Sequence, residues 1–98
     1  MKITGLNFVI TGAGAGIGAG TARLAASYGA RVMLSDTNDA NGQAVAEAIR
    51  AEGGTAFYQH CDVSDEAQVQ ALMQAAAEQL GGIDVLRNNA GVHESALG

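Results

Sequence analysis

The chain has 98 residues, room for one small domain, and its 48% hydrophobic and 15% charged content excludes a disordered or charge-dominated segment. Ten acidic against five basic residues give a net charge of −5 with no basic cluster, which argues against a nucleic-acid surface. A single Cys61 excludes an intramolecular disulfide, and the apolar stretch after Met1-Lys2 is interrupted by Asn7, two threonines and glycines, so neither a signal peptide nor a membrane span is expected and a cytoplasmic protein is.

In chain order, Asn7 to Thr11 reads as a short apolar strand that runs into a glycine-rich turn. A helix follows from about Ile17 to Tyr28, with Ile17, Thr21, Leu24, Ala25 and Tyr28 expected on its inner face and Gly29 as its stop. A second strand covers Arg31 to Ser35. The second helix spans about Asn38 to Glu52, with Val45, Ala48 and Ile49 inward and Gly53-Gly54 closing it. The third strand is Thr55 to Cys61. The third helix starts near Ser64 or Asp65, either able to cap it, and shows Val69, Leu72, Met73, Ala76 and Leu80 at helical spacing before Gly81-Gly82. The fourth strand is Asp84 to Asn88, and the rest reads as loop. Strands alternating with crossover helices predict an α/β, doubly wound parallel sheet of the Rossmann type, in strand order 3-2-1-4. Ligands bind at the strand carboxyl ends where that order reverses.

The chemistry-bearing residues fall at those ends. Gly12, Gly14, Gly16 and Gly18 put four glycines into seven residues, a costly choice unless the backbone turns tightly or approaches something. The anion-favouring N-terminus of the first helix makes that something a pyrophosphate, with Ala15 and Ile17 in the same cradle. The spelling is T-G-x-x-x-G-x-G rather than a strict G-x-G-x-x-G, and a flexible loop without ligand is the plainer alternative. Asp36 lies 24 residues past Gly12, placed to accept from adenosine ribose hydroxyls and to oppose a 2′-phosphate, which favours NAD over NADP. The alternative for Asp36 is a helix cap or turn residue. Asp62 could accept from an adenine amino group while the Val63 N–H donates to a ring nitrogen; a turn and cap role is the alternative. Asn88-Asn89 closes the fourth strand, with amides able to tie strand ends together and Gly91 permitting close approach. The neighbours His60, Cys61 and Asp62 do not form a metal site, because adjacent strand residues point to opposite faces and the spacing matches no zinc pattern.

On T-G-A-G-A-G-I-G at Thr11 to Gly18, Asp36, D-V at Asp62-Val63 and N-N-A-G at Asn88 to Gly91, the chain resembles the classical short-chain dehydrogenase/reductase family. The resemblance implies a nicotinamide dinucleotide over the glycine turn, Asp36 on adenosine ribose, Asp62 and Val63 on adenine, and Asn88, Ala90 and Gly91 lining the cleft. It implies hydride transfer to or from a small carbonyl or alcohol substrate, in a homo-oligomer with no nucleic-acid or membrane partner. The family's catalytic Asn, Ser and Tyr-x-x-x-Lys lie beyond N-N-A-G, and no catalytic residue is assigned here. Residues 1–98 are therefore expected to be the N-terminal dinucleotide-binding part of a larger domain, inactive alone. A second departure is Arg87, in a strand that should be apolar and covered on both faces; a buried unpaired guanidinium would be expensive, so either a carboxylate meets it or the strand is loose. The rival readings are a non-catalytic nucleotide-binding module, sensing or structural, and a doubly wound binding protein with no dinucleotide.

Overall fold

The structure is a computed structural model and describes residues 2–89. Seven elements alternate: β1 (Asn7–Thr11), α1 (Gly16–Ser27), β2 (Arg31–Asp36), α2 (Asp39–Ala51), β3 (Thr55–His60), α3 (Glu66–Leu80) and β4 (Val85–Asn88). The strands are parallel and ordered β3-β2-β1-β4, the order expected from the sequence. β1 and β2 run apolar because both of their faces are covered. Side chains alternate across the sheet, so Ile10, Val32 and Leu34 face α1 and α2, while Val9 and Met33 face α3. All five are fully buried, each contributing about 1.5–3 kcal/mol by leaving water.

The face of α1 differs from the expected one. Gly18, Ala22, Ala25 and Ala26 turn inward, whereas Ile17, Leu24 and Tyr28 are 73%, 60% and 60% exposed. Of the expected stripe only Ala25 is buried, with Thr21 half-buried. The cause is close approach: a Cβ on Gly18 would fall inside van der Waals contact of the Gly12 carbonyl oxygen. A helix that near the sheet accepts small side chains only. In α2 the inward set is Gly42, Val45, Ala46 and Ile49, with Ala48 half-buried.

Polar side chains fix the element ends. Asn38 caps α2 by accepting from the Asn41 N–H, and Asp65, not Ser64, caps α3 by accepting from the Ala67 and Gln68 N–H groups. At the amino ends of the strands, the Arg31 guanidinium donates to the carbonyls of Leu80 (2.8 Å) and Gln79 (3.3 Å), complementing the C-terminal dipole of α3. Asn7 Nδ2 donates to the same Leu80 carbonyl at 3.1 Å, and the Asn7 N–H donates to Asp84 at 2.8 Å.

Strand β4 pairs only with β1 among the described residues, which resolves Arg87. Val85 is half-buried, and Leu86, Arg87 and Asn88 are exposed. The Arg87 Nε donates to Asn89 Oδ1 at 3.0 Å, so the side chain is solvated and meets an amide instead of a carboxylate.

Candidate functional site

The turn between β1 and α1 is stitched to β2. The Ala13 N–H donates to the Ser35 carbonyl at 3.0 Å, and the Gly14 N–H donates to Asp36 Oδ2 at 2.8 Å. Asn38 and Asp65 cap the helices that follow them, but the cap position of α1 is Ala15, which makes no side-chain cap bond, and the first turn of α1 holds no acid. A helix start without a side-chain cap or an acid in its first turn is a setting that favours an anion. Gly16 has φ +58°, a left-handed conformation that side chains strain, and a Cβ there would meet nothing within 4 Å. The space beside the turn is open.

Asp36 is the last residue of β2, one beyond the expected strand end, and is half-buried. Besides Gly14, its carboxylate accepts from the Asn38 N–H, Oδ1 at 2.9 Å. Asp36 therefore serves the turn as well as facing the strand ends, while the cap of α2 belongs to Asn38. Asp62 also sits in a turn: Oδ1 accepts from the Ser64 hydroxyl at 2.7 Å and the Ser64 N–H at 2.9 Å. Those bonds, the hydroxyl's first, hold its carboxyl below the usual range. Val63 beside it is half-buried.

A cleft of about 420 Å³ opens over the carboxyl ends of β1, β2 and β3. Gly12, Asp36, Asp62 and Val63 line it, and so do Thr37, Cys61 and Ser64, which the sequence reading had not placed there. Thr37 follows Asp36 directly and Ser64 follows Val63, so their positions carried the signal. A smaller groove of about 180 Å³, between the C-terminal ends of α1 and α2 at Ala26 and Ile49, lies at the other end of the sheet. Across the sheet from the cleft, the Thr11 hydroxyl donates to Asn88 Oδ1 at 2.8 Å, tying β1 to β4. Ala90 and Gly91 lie outside the described residues.

His60, Cys61 and Asp62 diverge. His60 Nδ1 meets Asp39 Oδ1 at 2.8 Å, Cys61 is buried against α3, and Asp62 turns to Ser64. Burial pushes the Cys61 thiol up. Among the described residues no group of three or more His, Cys, Asp or Glu could hold a metal ion. Tyr58, beside the Asp36 carbonyl, was also missed; the glycine at position 42, inside a helical pattern, marked a close approach there.

A family profile described as short chain dehydrogenase matches residues 7–97. The chain is 48% identical over 86 residues to cis-4-hydroxycyclohexanecarboxylate dehydrogenase of Sinomonas cyclohexanicum, covering 88% of this chain and 34% of that protein. It is 40% identical to (+)-borneol dehydrogenase 1 of Salvia officinalis, covering 95% of this chain and 35% of that one. Among solved structures, hydroxysteroid dehydrogenase from Escherichia coli superposes with a TM-score of 0.87 at 40% identity, covering 89% of this chain and 37% of that one. A short-chain dehydrogenase/reductase from Burkholderia phymatum in complex with NAD gives 0.85 at 37% identity, covering 88% and 31%. The chain belongs to the short-chain dehydrogenase family, and it spans about a third of the length of these curated relatives. Among the described residues no helix is long and apolar enough to cross a membrane.

Proposed function

We propose that the chain is the dinucleotide-binding part of an NAD-dependent short-chain oxidoreductase that moves hydride between a nicotinamide cofactor and a small carbonyl or alcohol substrate. The observation that carries this reading is the bond from the Gly14 N–H to Asp36, which joins an uncapped helix start to an acid on the rim of the cleft. Gly12, Gly14, Ala15, Gly16, Ile17 and Gly18 form the pyrophosphate cradle. Asp36 accepts from the adenosine ribose and disfavours a 2′-phosphate, so NAD is preferred to NADP. Asp62 and Val63 receive the adenine, while Asn88, Ala90 and Gly91 line the nicotinamide side.

A bound nicotinamide cofactor would give hydride to a carbonyl or take it from an alcohol; this chain's residues would bind and orient it. Tyr28 and Tyr58 are followed four residues on by Val32 and Asp62, not lysine, so the acid–base step is not assigned to them. The reading places the protein in the cytoplasm, in keeping with one free buried cysteine, and in a homo-oligomer, in keeping with exposed Leu86 on the outer strand. NADH and NADPH fluorescence titrations test it. In any folded form that contains the complete site, tighter binding of NADH is expected; there, equal dissociation constants would overturn the role of Asp36, and no response to either would overturn the dinucleotide reading.

A further inference from the structure

Behind the ribose-facing acid lies a cluster that the proposed cofactor contacts leave unused. Tyr58 of β3 lays its ring on the first turn of α2, where a Cβ on Gly42 would run into that ring. From this notch the hydroxyl stands 2.6 Å from Asp39 Oδ1 and 2.8 Å from the Asp36 carbonyl oxygen. One phenolic proton serves both acceptors. His60 Nδ1, 2.8 Å from the same Asp39 oxygen, supplies a second donor to it when that nitrogen carries the proton. Burial first, and the Asp39 bond second, push the Tyr58 phenol far above its ordinary value, while the Tyr58 and His60 bonds hold Asp39 below its own. The proton therefore stays on Tyr58, and the hydroxyl is a fixed donor.

Asp36 is held at both ends. Its carbonyl takes Tyr58 and the Cys61 N–H (3.1 Å), and its carboxylate takes the Gly14 and Asn38 N–H groups. We propose that Tyr58 is a positioning residue for the dinucleotide site: its hydroxyl fixes Asp36, and through Asp36 the glycine turn, with Asp39 and His60 holding the hydroxyl in place. Contacts from the ends of β1, β2 and β3 thereby converge on one residue, at its carbonyl and its carboxylate, before any ligand arrives, which lowers the ordering cost of binding. The consequence for ligand rests on the dinucleotide reading; the hold on the turn does not.

The test is Tyr58→Phe in the full chain, which keeps the ring in the Gly42 notch and removes only the hydroxyl. Amide exchange read by NMR should accelerate about fivefold at Gly14 and Asn38, the loss of one ordinary hydrogen bond. The Asn7 amide, bonded to Asp84 at the opposite end, should not change. Unchanged exchange at Gly14 and Asn38 overturns the proposal. So does an equal acceleration throughout the sheet, which would mark Tyr58 as a general stabiliser. A second arm compares ADP-ribose with nicotinamide mononucleotide. Tyr58→Phe should weaken ADP-ribose about fivefold and leave the mononucleotide alone; equal ADP-ribose affinity overturns the positioning role. Failure of the parent, in a folded form that contains the complete site, to bind either dinucleotide would sink the functional reading, while the exchange result would still decide what Tyr58 holds.

Discussion

Replacing Asp36 with alanine separates two contributions that the structure loads onto one side chain. The carboxylate accepts from the Gly14 N–H at 2.8 Å and from the Asn38 N–H at 2.9 Å. Hydrogen bonds to a charged group contribute about 1.5–3 kcal/mol each. The site is half-buried, so water replaces part of what is lost, and Asp36→Ala should cost about 2–3 kcal/mol. With a urea dependence of about 1–3 kcal/mol per molar, the unfolding midpoint should fall by roughly 1–2 M. The second contribution is charge. At ~5 Å and an effective dielectric of ~20, each unit of phosphate charge meets a carboxylate with about 3 kcal/mol of repulsion, which solvent at a half-exposed site reduces to about 1–2 kcal/mol. The parent should therefore favour NADH over NADPH by roughly tenfold or more. In Asp36→Ala that gap should narrow while both cofactors bind more weakly, because the glycine turn has lost one of its two ties to β2. An unchanged urea midpoint would refute the structural half, and an unchanged ratio of dissociation constants would refute the electrostatic half.

Gly16→Val forces a branched residue into a backbone at φ +58° and fills the open space beside the turn; NADH titration should show binding lost while far-UV circular dichroism stays largely native. Asp39 and Asp62 titrate below their ordinary value of 3.8, held there by Tyr58 and His60 and by Ser64. Their folded values are depressed, so their contribution is fully present above about pH 5 and is lost as pH falls below 3.8 through the lowered values. The urea midpoint should drop there less steeply in the Asp39→Asn, Asp62→Asn double variant than in the parent.

Strand order and most element limits were legible because β1 and β2 are continuous apolar runs and because Gly29, Gly53 and Gly81 stop the helices where the pattern ends. The inner face of α1 was not. Hydrophobicity ranks Ile17, Leu24 and Tyr28 as core, but the distance between helix and sheet is set by the contact of Gly18 with Gly12, and only alanine and glycine fit that gap. For Arg87 the sequence left two outcomes open, a carboxylate partner or a loose strand; the side chain is exposed and bonds the Asn89 amide, so no carboxylate meets it among the described residues. At the site, the glycine turn and Asp36 could be read as residue types at a spacing. The bond between Gly14 and Asp36 could not, since it depends on the path of the turn. Tyr58 stayed hidden because its partners lie 19 and 22 residues away on other elements.

The pairing of β1 with β4 also dictates an order of assembly. Phe8 lies opposite Val85, and Thr11 opposite Asn88, so the two strands are separated by nearly the whole chain. During synthesis β2 and α1 emerge soon after β1 and dock beside it, but the far edge of β1 stays bare until residues 85–88 leave the ribosome. Arg31 waits likewise for the α3 carbonyls 48 and 49 residues downstream. Such late, long-range closure slows folding and leaves an apolar strand available to strangers in the meantime. Yield on expression should therefore depend on how well foreign contacts to the unpaired strand are kept away during that interval, more than the stability of the paired strands would suggest.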